Sequence, residues 1–413
     1  MEVRGNDVDC CIAGGGPAGL MAGFLLERAG AKVAVLEKHG DFLRDFRGDT
    51  IHPSTLEIFS ELGLLEEFLN LPHEKADTAS IEFGGETLTL ASLKNLPVAC
   101  PFIAFMPQWD FLNYLALKAA AYPAFRLIRN CEAADLIREG GRVRGVRARG
   151  EGGELAIRAR LVIAADGRNS LLRGKAGLAA REIGAPMDVL WFSLPRRASD
   201  GGGVAGRIDP GRMLIRFSRG SYWQCAYIIP KDGFRALQSA GLGAFRANLA
   251  ASAPVLADRA GEINGWDQVK LLSVRIDRLE RWHQPGFLCI GDAAHAMSPV
   301  GGVGVNLAVQ DAVAAANLLW KPLRDNTLTD TDLAAVQSRR EWPARAVQFM
   351  QVQVQNRLVK AALESKAAIR PPLALRIVAG VPYLQRLAGR MIGLGIRREY
   401  LTAPEQPGEG FRA

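Results

Sequence analysis

Six residues near the start, Gly14-Gly15-Gly16-Pro17-Ala18-Gly19, carry the spacing G-x-G-x-x-G. They fall between an apolar segment over 8–13 and a helical apolar pattern over 17–28. At such a turn Gly14 permits the sharp reversal. Gly16 leaves the backbone bare for a pyrophosphate, and Gly19 lets the helix lie close to the strand. Pro17 and Ala18 open the helix, whose N-terminus offers unpaired N–H groups and a favourable dipole to phosphate. Glu37 lies 23 residues after Gly14, at the end of the next strand-like run, 32–37. A carboxylate there can bind both hydroxyls of a ribose. The pattern is weak alone, but strand, turn, helix, strand and acid in this order predict a dinucleotide site rather than a merely tight turn.

Two later segments repeat the theme of a buried strand delivering an aspartate. LVIAADGRNSLLR (161–173) delivers Asp166 and Gly167, with Ser170 and Arg173 following at helical spacing. GFLCIGDAAHAMSPVGGVGVN (286–306) delivers Gly291 and Asp292, then a glycine-rich loop and a helix over 306–320. Glycine at 291 allows close ligand approach, and Asp292 can accept hydrogen bonds from sugar or ribityl hydroxyls. Either segment alone also reads as a strand ending in an Asx-turn. With the glycine fingerprint, the two point to FAD rather than NAD.

The elements that must position these residues begin with a β–α–β unit over 8–37. A helix is expected over 54–69, opened by a capping box from Ser54 and Glu57. A hairpin turns at Gly84–Gly85 within 79–90. An amphipathic helix covers 110–121. Strands follow at 133–148, 154–160 and 161–165. Between 188 and 230 the aromatic and β-branched runs VLWFSLP, GRMLIRFS and SYWQCAYIIP predict an inserted antiparallel sheet. A helix is expected over 234–251. From 331 onward the chain reads as helix, broken near Pro371–Pro372 and Pro382.

Composition narrows the class. With 413 residues, 48% hydrophobic and 23% charged, the chain is ordinary for a globular enzyme and long enough for two interleaved domains. The net charge of +8 is modest for this length and forms no block of like charges, which argues against a nucleic-acid partner. The six cysteines form no C-x-x-C and no zinc spacing, so no metal site and no redox disulfide are expected. Cysteine usage and the lack of a leader pattern at the N-terminus point to the cytoplasm. No run of about 18 apolar residues is free of charge, so no stable membrane insertion is expected. The tail RLAGRMIGLGIRREYL is basic and partly apolar. Packing against the protein or a second subunit, as in a homodimer, is preferred there over a membrane surface.

Over most of residues 8–320 the sequence resembles the group A flavoprotein monooxygenases, the p-hydroxybenzoate hydroxylase-like aromatic hydroxylases. GGGPAG (14–19), ADG (165–167) and GDAAH (291–295) with its PVGGVGVN continuation carry the resemblance. It implies an α/β fold: a Rossmann-like FAD-binding domain of the p-hydroxybenzoate hydroxylase/glutathione reductase type, an inserted antiparallel β-sheet substrate domain and C-terminal helices. The expected division is 1–75, 100–180 and 265–330 for FAD, 76–99 and 181–264 for substrate, and 331–413 for the helices.

The resemblance also implies roles. Glu37 would bind the adenosine ribose with Lys38 beside it, and Ala133 would meet the adenine through its backbone. Arg47 would contact FAD and help position a mobile flavin. Gln108 falls near the ribityl chain, Asp166 in a motif associated with FAD and NAD(P)H, and Asp292 at the ribityl or pyrophosphate region. Gly302, Gly304, Val305 and Asn306 would bring backbone N–H groups to the flavin pyrimidine edge, where they stabilise negative charge on reduced flavin. Pro299 would approach the active-site face. The implied reaction uses NADPH or NADH to reduce FAD, and O2 to form a flavin C4a-hydroperoxide that hydroxylates an aromatic or polyketide-like small molecule. No second G-x-G-x-x-G marks a separate NAD(P)H domain, in keeping with that class.

Other candidates rest on the residues alone. His52 has functional and structural readings of equal weight. Arg216, Tyr222, Trp223 and Gln224 lie on the inserted sheet, where alternation sends about half of them toward the pocket, and of the four Arg216 is the catalytic candidate. For His295 a hydrogen-bonding loop role is preferred over acid/base chemistry. Competing functions are a flavin-dependent halogenase, a prenyl-chain reductase or quinone-pathway hydroxylase, and a non-catalytic flavin-binding protein. Against the halogenase, WQCAYIIP lacks the second tryptophan of W-x-W-x-I-P.

Overall fold

The computed structural model describes residues 7–43, 50–367 and 369–406. Val8–Ala13, VDCCIA, is almost wholly buried and sits at the middle of an eight-stranded sheet. It pairs in parallel with Val33–Leu36 on one side and Gly153–Ala164 on the other. Phe125–Ile128 extends the sheet beyond Val33–Leu36, and Phe287–Cys289 beyond Gly153–Ala164, both in parallel. Strands buried on both faces read as continuous apolar runs, which is why these segments lack alternation.

Gly153–Ala164 was expected as two strands and is one. Its first half pairs antiparallel with Arg142–Gly150, and its second half pairs parallel with Val8–Ala13. One strand thus serves a hairpin extension and the central sheet. The fingerprint helix Pro17–Arg28 and the core helix Gly304–Arg324 pack on the sheet and on each other. Close packing needs small residues: a Cβ on Gly23 would meet Val35 at 2.8 Å.

A second, seven-stranded sheet runs in the order Lys270–Leu272, Met187–Pro195, Tyr222–Pro230, Arg212–Arg219, Val204–Asp209, Thr78–Phe83, Glu86–Ser92. The inserted antiparallel sheet is therefore present, with one parallel pairing, between Val204–Asp209 and Thr78–Phe83. Its last two strands form the hairpin at Gly84 (φ 54) and Gly85 (φ 97), a backbone that glycine adopts without strain. Lys270–Leu272 joins this sheet although its position in the chain assigned it to the nucleotide domain.

Two expected helices are each broken in two. The 54–69 stretch forms Pro53–Glu61 and Leu65–Phe68, parted near Gly63 (φ 69). The capping box does not form: His52 is the N-cap, and Glu57 Oε1 accepts from the Ala99 N–H at 2.6 Å. The 234–251 stretch splits at Gly241 (φ 89) into Phe234–Ala240 and Leu242–Ser252. In both cases an apolar periodicity runs through a glycine whose left-handed backbone stops a helix. The C-terminal region is helical as expected, with Asp330–Val354 followed by a π-helical turn at Gln355–Val359.

Candidate active site

At the fingerprint, three glycines do three different jobs. Gly14 has φ +104, and a Cβ there would lie 2.3 Å from the Ala165 carbonyl oxygen. A Cβ on Gly19 would lie 1.9 Å from the Gly14 carbonyl oxygen. Both positions are closed by the protein itself. Gly16 differs: its backbone is ordinary (φ −79, ψ −174), and a Cβ would meet nothing within 4 Å. It borders open space at the N-terminus of Pro17–Arg28, which has no side-chain cap. Glu37 is buried beside this turn. Its Oε2 accepts from the Gly15 N–H and its Oε1 from the His39 N–H, both at 3.0 Å. The Cys131 N–H donates to the Glu37 carbonyl at 2.9 Å, bringing the start of Glu132–Glu139, and so Ala133, to the same edge. Lys38 is exposed next to it, and Gln108 opens the helix Gln108–Ala120.

The other two motifs converge on that turn. Gly291 (φ +60) wedges between the two long helices: a Cβ there would lie 3.0 Å from Ala18 Cβ and 3.4 Å from Ala308 Cβ. Asp292 is partly exposed and pairs with Arg168 at 3.3 Å, a partner from the ADG segment that sequence reasoning missed. Asp166 Oδ2 accepts from the Leu172 N–H at 3.2 Å, while Oδ1 is buried with no hydrogen-bond partner among the described residues. Burial raises the Asp166 pKa, with the Ser170 and Leu172 hydrogen bonds opposing it. Arg173 ties the two motifs together, donating to both oxygens of buried Asp277 (3.3 and 3.1 Å) and to the Ala293 carbonyl (3.3 Å).

Behind Gly291 lies a buried ionic cluster that no motif announced. Asp311 Oδ2 accepts from the Gly291 N–H (3.0 Å) and contacts His295 Nε2 (2.6 Å). Its Oδ1 accepts from Arg340 Nε (2.9 Å), and Arg340 reaches Glu399 at 3.2 Å. Burial opposes ionisation of Asp311, but His295 and Arg340 outweigh it and hold the pKa below the usual range. His295 is thus a structural hydrogen-bonding residue here.

The loop into the core helix is braced from both sides. Gly302 has φ +63, and a Cβ there would lie 2.4 Å from Thr50 Oγ1, which donates to the Gly302 carbonyl at 2.6 Å. Asn306 Oδ1 accepts from the His52 N–H (2.8 Å) and from Thr55 Oγ1 (2.7 Å). Its side chain is spent inside the protein, leaving only its backbone N–H for a ligand. The first intrahelical bond runs from the Leu307 N–H to the Val303 carbonyl (3.0 Å), so the N–H groups of Gly304, Val305 and Asn306 precede it, and no side chain among the described residues caps this end.

From the C-terminal side, Gln351 donates to the Ser298 (3.0 Å) and Val300 (2.8 Å) carbonyls, and Gln355 donates to Ser298 Oγ. Pro299 sits inside this clamp as the N-cap of the Val300–Gly302 turn. Gln348, Gln351 and Gln355 lie at helical spacing, which is the sequence signal for one polar face turned inward.

His52 is fully buried. Its Nδ1 lies 2.7 Å from the Ile392 carbonyl, which can only accept, so Nδ1 carries the proton and Nε2 is a buried acceptor without a partner among the described residues. Burial pushes its pKa down to about 4 against the hydrogen bond to Ile392, so the ring is neutral at pH 7. Arg47 lies outside the described residues.

The second sheet resolves which side chains face this loop. Trp191, Ile215 and Phe217 share a hydrophobic cluster with Val300. Trp191 stacks on Phe217 (6.1 Å, 26°), and Phe105 packs against Phe217 at 5.5 Å. Gln224 pairs with Phe217 across the strands and so shares that inner face, as does Tyr222 opposite Arg219. Arg216 corrects the expectation. It pairs with Cys225 and lies over Trp223 (5.2 Å), and both of those residues belong to the outer cluster with Phe245 and Leu249 of Leu242–Ser252. The period of two puts it on the opposite side from Pro299.

These features fit FAD. Two uncapped helix N-termini flank Gly291, Gly16 leaves open space where a pyrophosphate needs it, and Asp166 keeps a buried acceptor free. The fold and site define an FAD-binding protein, and its relatives make it an FAD-dependent monooxygenase. The chain belongs to the family described as FAD binding domain, whose profile matches residues 7–350. It is 33% identical to the 6-methylpretetramide 4-monooxygenase of Streptomyces rimosus over 93% of each chain. Among solved structures, PqsL of Pseudomonas aeruginosa, described as a probable FAD-dependent monooxygenase, matches with a TM-score of 0.74 at 21% identity, covering 87% of this chain and 98% of that one. The anhydrotetracycline hydroxylase OxyS of Streptomyces rimosus matches with a TM-score of 0.74 at 22% identity, covering 95% of this chain and 77% of that one. The core helix is long and apolar enough to cross a membrane, but most of it is buried in the protein.

Proposed function

We propose that the protein hydroxylates a phenolic, polycyclic aromatic small molecule of the polyketide kind, with NADH or NADPH as reductant and O2 as oxygen source. One observation carries this reading. The Ser298–Gly302 turn, which leads into an uncapped helix N-terminus, shares a hydrophobic cluster with the aromatic inner face of the second sheet. A flat apolar substrate would lie between Trp191, Phe217 and that turn, and Trp191 Nε1 is a buried donor with no partner among the described residues. The curated relative with 33% identity, named for its action on 6-methylpretetramide, supports a substrate of this class.

Bound FAD supplies the redox chemistry and oxygen activation. The chain would do the rest. Glu37 and Lys38 would hold the adenosine ribose, and the backbone near Ala133 the adenine. Gly14–Gly19 would receive the pyrophosphate. Gln108, Asp166 and Asp292 would line the sugar and ribityl portion. The N–H groups of Gly304, Val305 and Asn306 would stabilise negative charge at the flavin edge. Neutral His52, buried under that helix end through its bond to Asn306, would position rather than exchange protons. The aromatic wall would exclude water from the reacting centre.

The test is NADH and NADPH oxidation with oxygen uptake across phenols and polycyclic aromatic polyketides. The expected result is ligand-stimulated oxidation with a product one oxygen atom heavier. Normal FAD binding with no stimulation by any aromatic would overturn the proposal. A halide-dependent, halogenated product would do so too.

A further inference from the structure

Residues 365–398 contain seven basic residues (Lys366, Arg370, Arg376, Arg386, Arg390, Arg397 and Arg398) and no carboxylate. They thus hold seven of the chain's eight net positive charges. This stretch forms two helices, Leu373–Gly380 and Pro382–Leu394, laid against the edge strand Glu86–Ser92. Their inward faces are clear. A Cβ on Gly389 would lie 2.0 Å from the Ser92 carbonyl oxygen, and one on Gly393 would lie 2.9 Å from Leu93. Leu375, Ala379 and Ile392 join internal hydrophobic clusters.

The outward faces are apolar as well. Leu373 is 73% exposed, Ile377 49%, Tyr383 72% and Leu387 45%, with Val381 and Met391 also exposed. On Pro382–Leu394 the residues Tyr383, Leu387 and Met391 form one i, i+4, i+8 row. Arg386 and Arg390 run beside it, both exposed and without an ion-pair partner among the described residues. Arg376 and Arg398 are paired, with Glu86 (2.8 Å) and Glu57 (3.4 Å). The expected packing of this tail against the protein is seen on one side of each helix, and the outward side is left for a partner.

We infer that these two helices dock the enzyme peripherally on an anionic lipid surface, lying in the plane of the interface without crossing it. The apolar row would enter the acyl boundary, Tyr383 would sit at headgroup depth, and the guanidinium groups would meet lipid phosphates. Charge decides the occupant. A two-fold contact with a second copy would set the unpaired Arg386 and Arg390 of each copy against those of the other. An anionic bilayer instead neutralises it while taking up single projecting apolar side chains. This inference stands apart from the hydroxylase reading, since the outward-facing side chains it invokes are none of the candidate active-site residues; the helix Pro382–Leu394 meets that site through the Ile392 carbonyl that holds His52.

The test is co-sedimentation of the full, FAD-loaded chain with vesicles of phosphatidylcholine alone or mixed equally with phosphatidylglycerol. Binding to the anionic vesicles only, weakened by salt, is expected. Arg386→Gln with Arg390→Gln should lower partitioning about thirtyfold, at roughly fivefold per cation. Leu387→Glu should abolish it, and both variants should keep normal flavin content because the changed side chains face outward. No binding of the unaltered protein to anionic vesicles would overturn the inference. So would binding that neither variant weakens, or a Leu387-dependent dimer in sedimentation without vesicle binding.

Discussion

Replacing Gly16 by alanine separates ligand approach from protein packing. The backbone at Gly16 (φ −79, ψ −174) suits any residue, and the added methyl would meet nothing within 4 Å. In the flavin-free protein two small effects oppose each other. Alanine is the poorer N-cap, and it reduces the entropy of the unfolded chain. Apoprotein stability should therefore change by less than about 0.5 kcal/mol. If the pyrophosphate approaches here, the methyl overpacks that contact at about 1–3 kcal/mol, a five- to 150-fold loss of FAD affinity.

Gly19→Ala is the control in the other direction. Its Cβ would lie 1.9 Å from a backbone oxygen, so it should destabilise the apoprotein itself by about 3 kcal/mol or more. Urea unfolding of the apoproteins and titration of FAD by flavin fluorescence measure the two quantities independently. An FAD affinity unchanged in a stable Gly16→Ala protein would refute the assignment of this turn to the phosphates.

Three further outcomes are expected. His52 has a folded pKa of about 4, below its unfolded value, so the fold favours the neutral ring. That contribution is complete above pH 6.5 and is lost as pH falls toward 4, about 3 kcal/mol in all. His52→Gln should remove this part of the slope in unfolding midpoints across that window, and identical slopes would show that the ring is not held neutral. Asp311→Asn should cost about 2–3 kcal/mol in urea unfolding, because Arg340 keeps buried Glu399 but loses its charge-assisted bond to Asp311; a loss under 1 kcal/mol would mean the cluster relaxes. Gln351→Leu leaves the Ser298 and Val300 carbonyls without their donor and should cost about 2 kcal/mol. If the clamp positions the turn, kcat should fall with flavin content unchanged; unaltered turnover would remove Gln351 from any positioning role.

The three motifs were legible because each encodes a local backbone demand. A glycine at 14 or 291 is written where φ is positive, and Gly19 where helix and strand must touch, so residue type and spacing alone reveal the β–α–β unit and the strand ends carrying Asp166 and Asp292. The helix breaks at Gly63 and Gly241 were legible in the same way but were masked by apolar periodicity that continues through them.

What only the tertiary structure decided involves partners far apart in the chain. Asn306 locks His52 and Thr55 from some 250 residues away. Asp311 gathers Gly291, His295 and Arg340 into one buried cluster. Such pairings follow from how the sheet and helices stack, and no short window records them. The inserted sheet shows the limit clearly. A period of two states that Arg216 and Phe217 point opposite ways, but it is symmetric between faces. Only the packing of Val300 on one side and Leu242–Ser252 on the other turned Phe217 toward the site and Arg216 away from it.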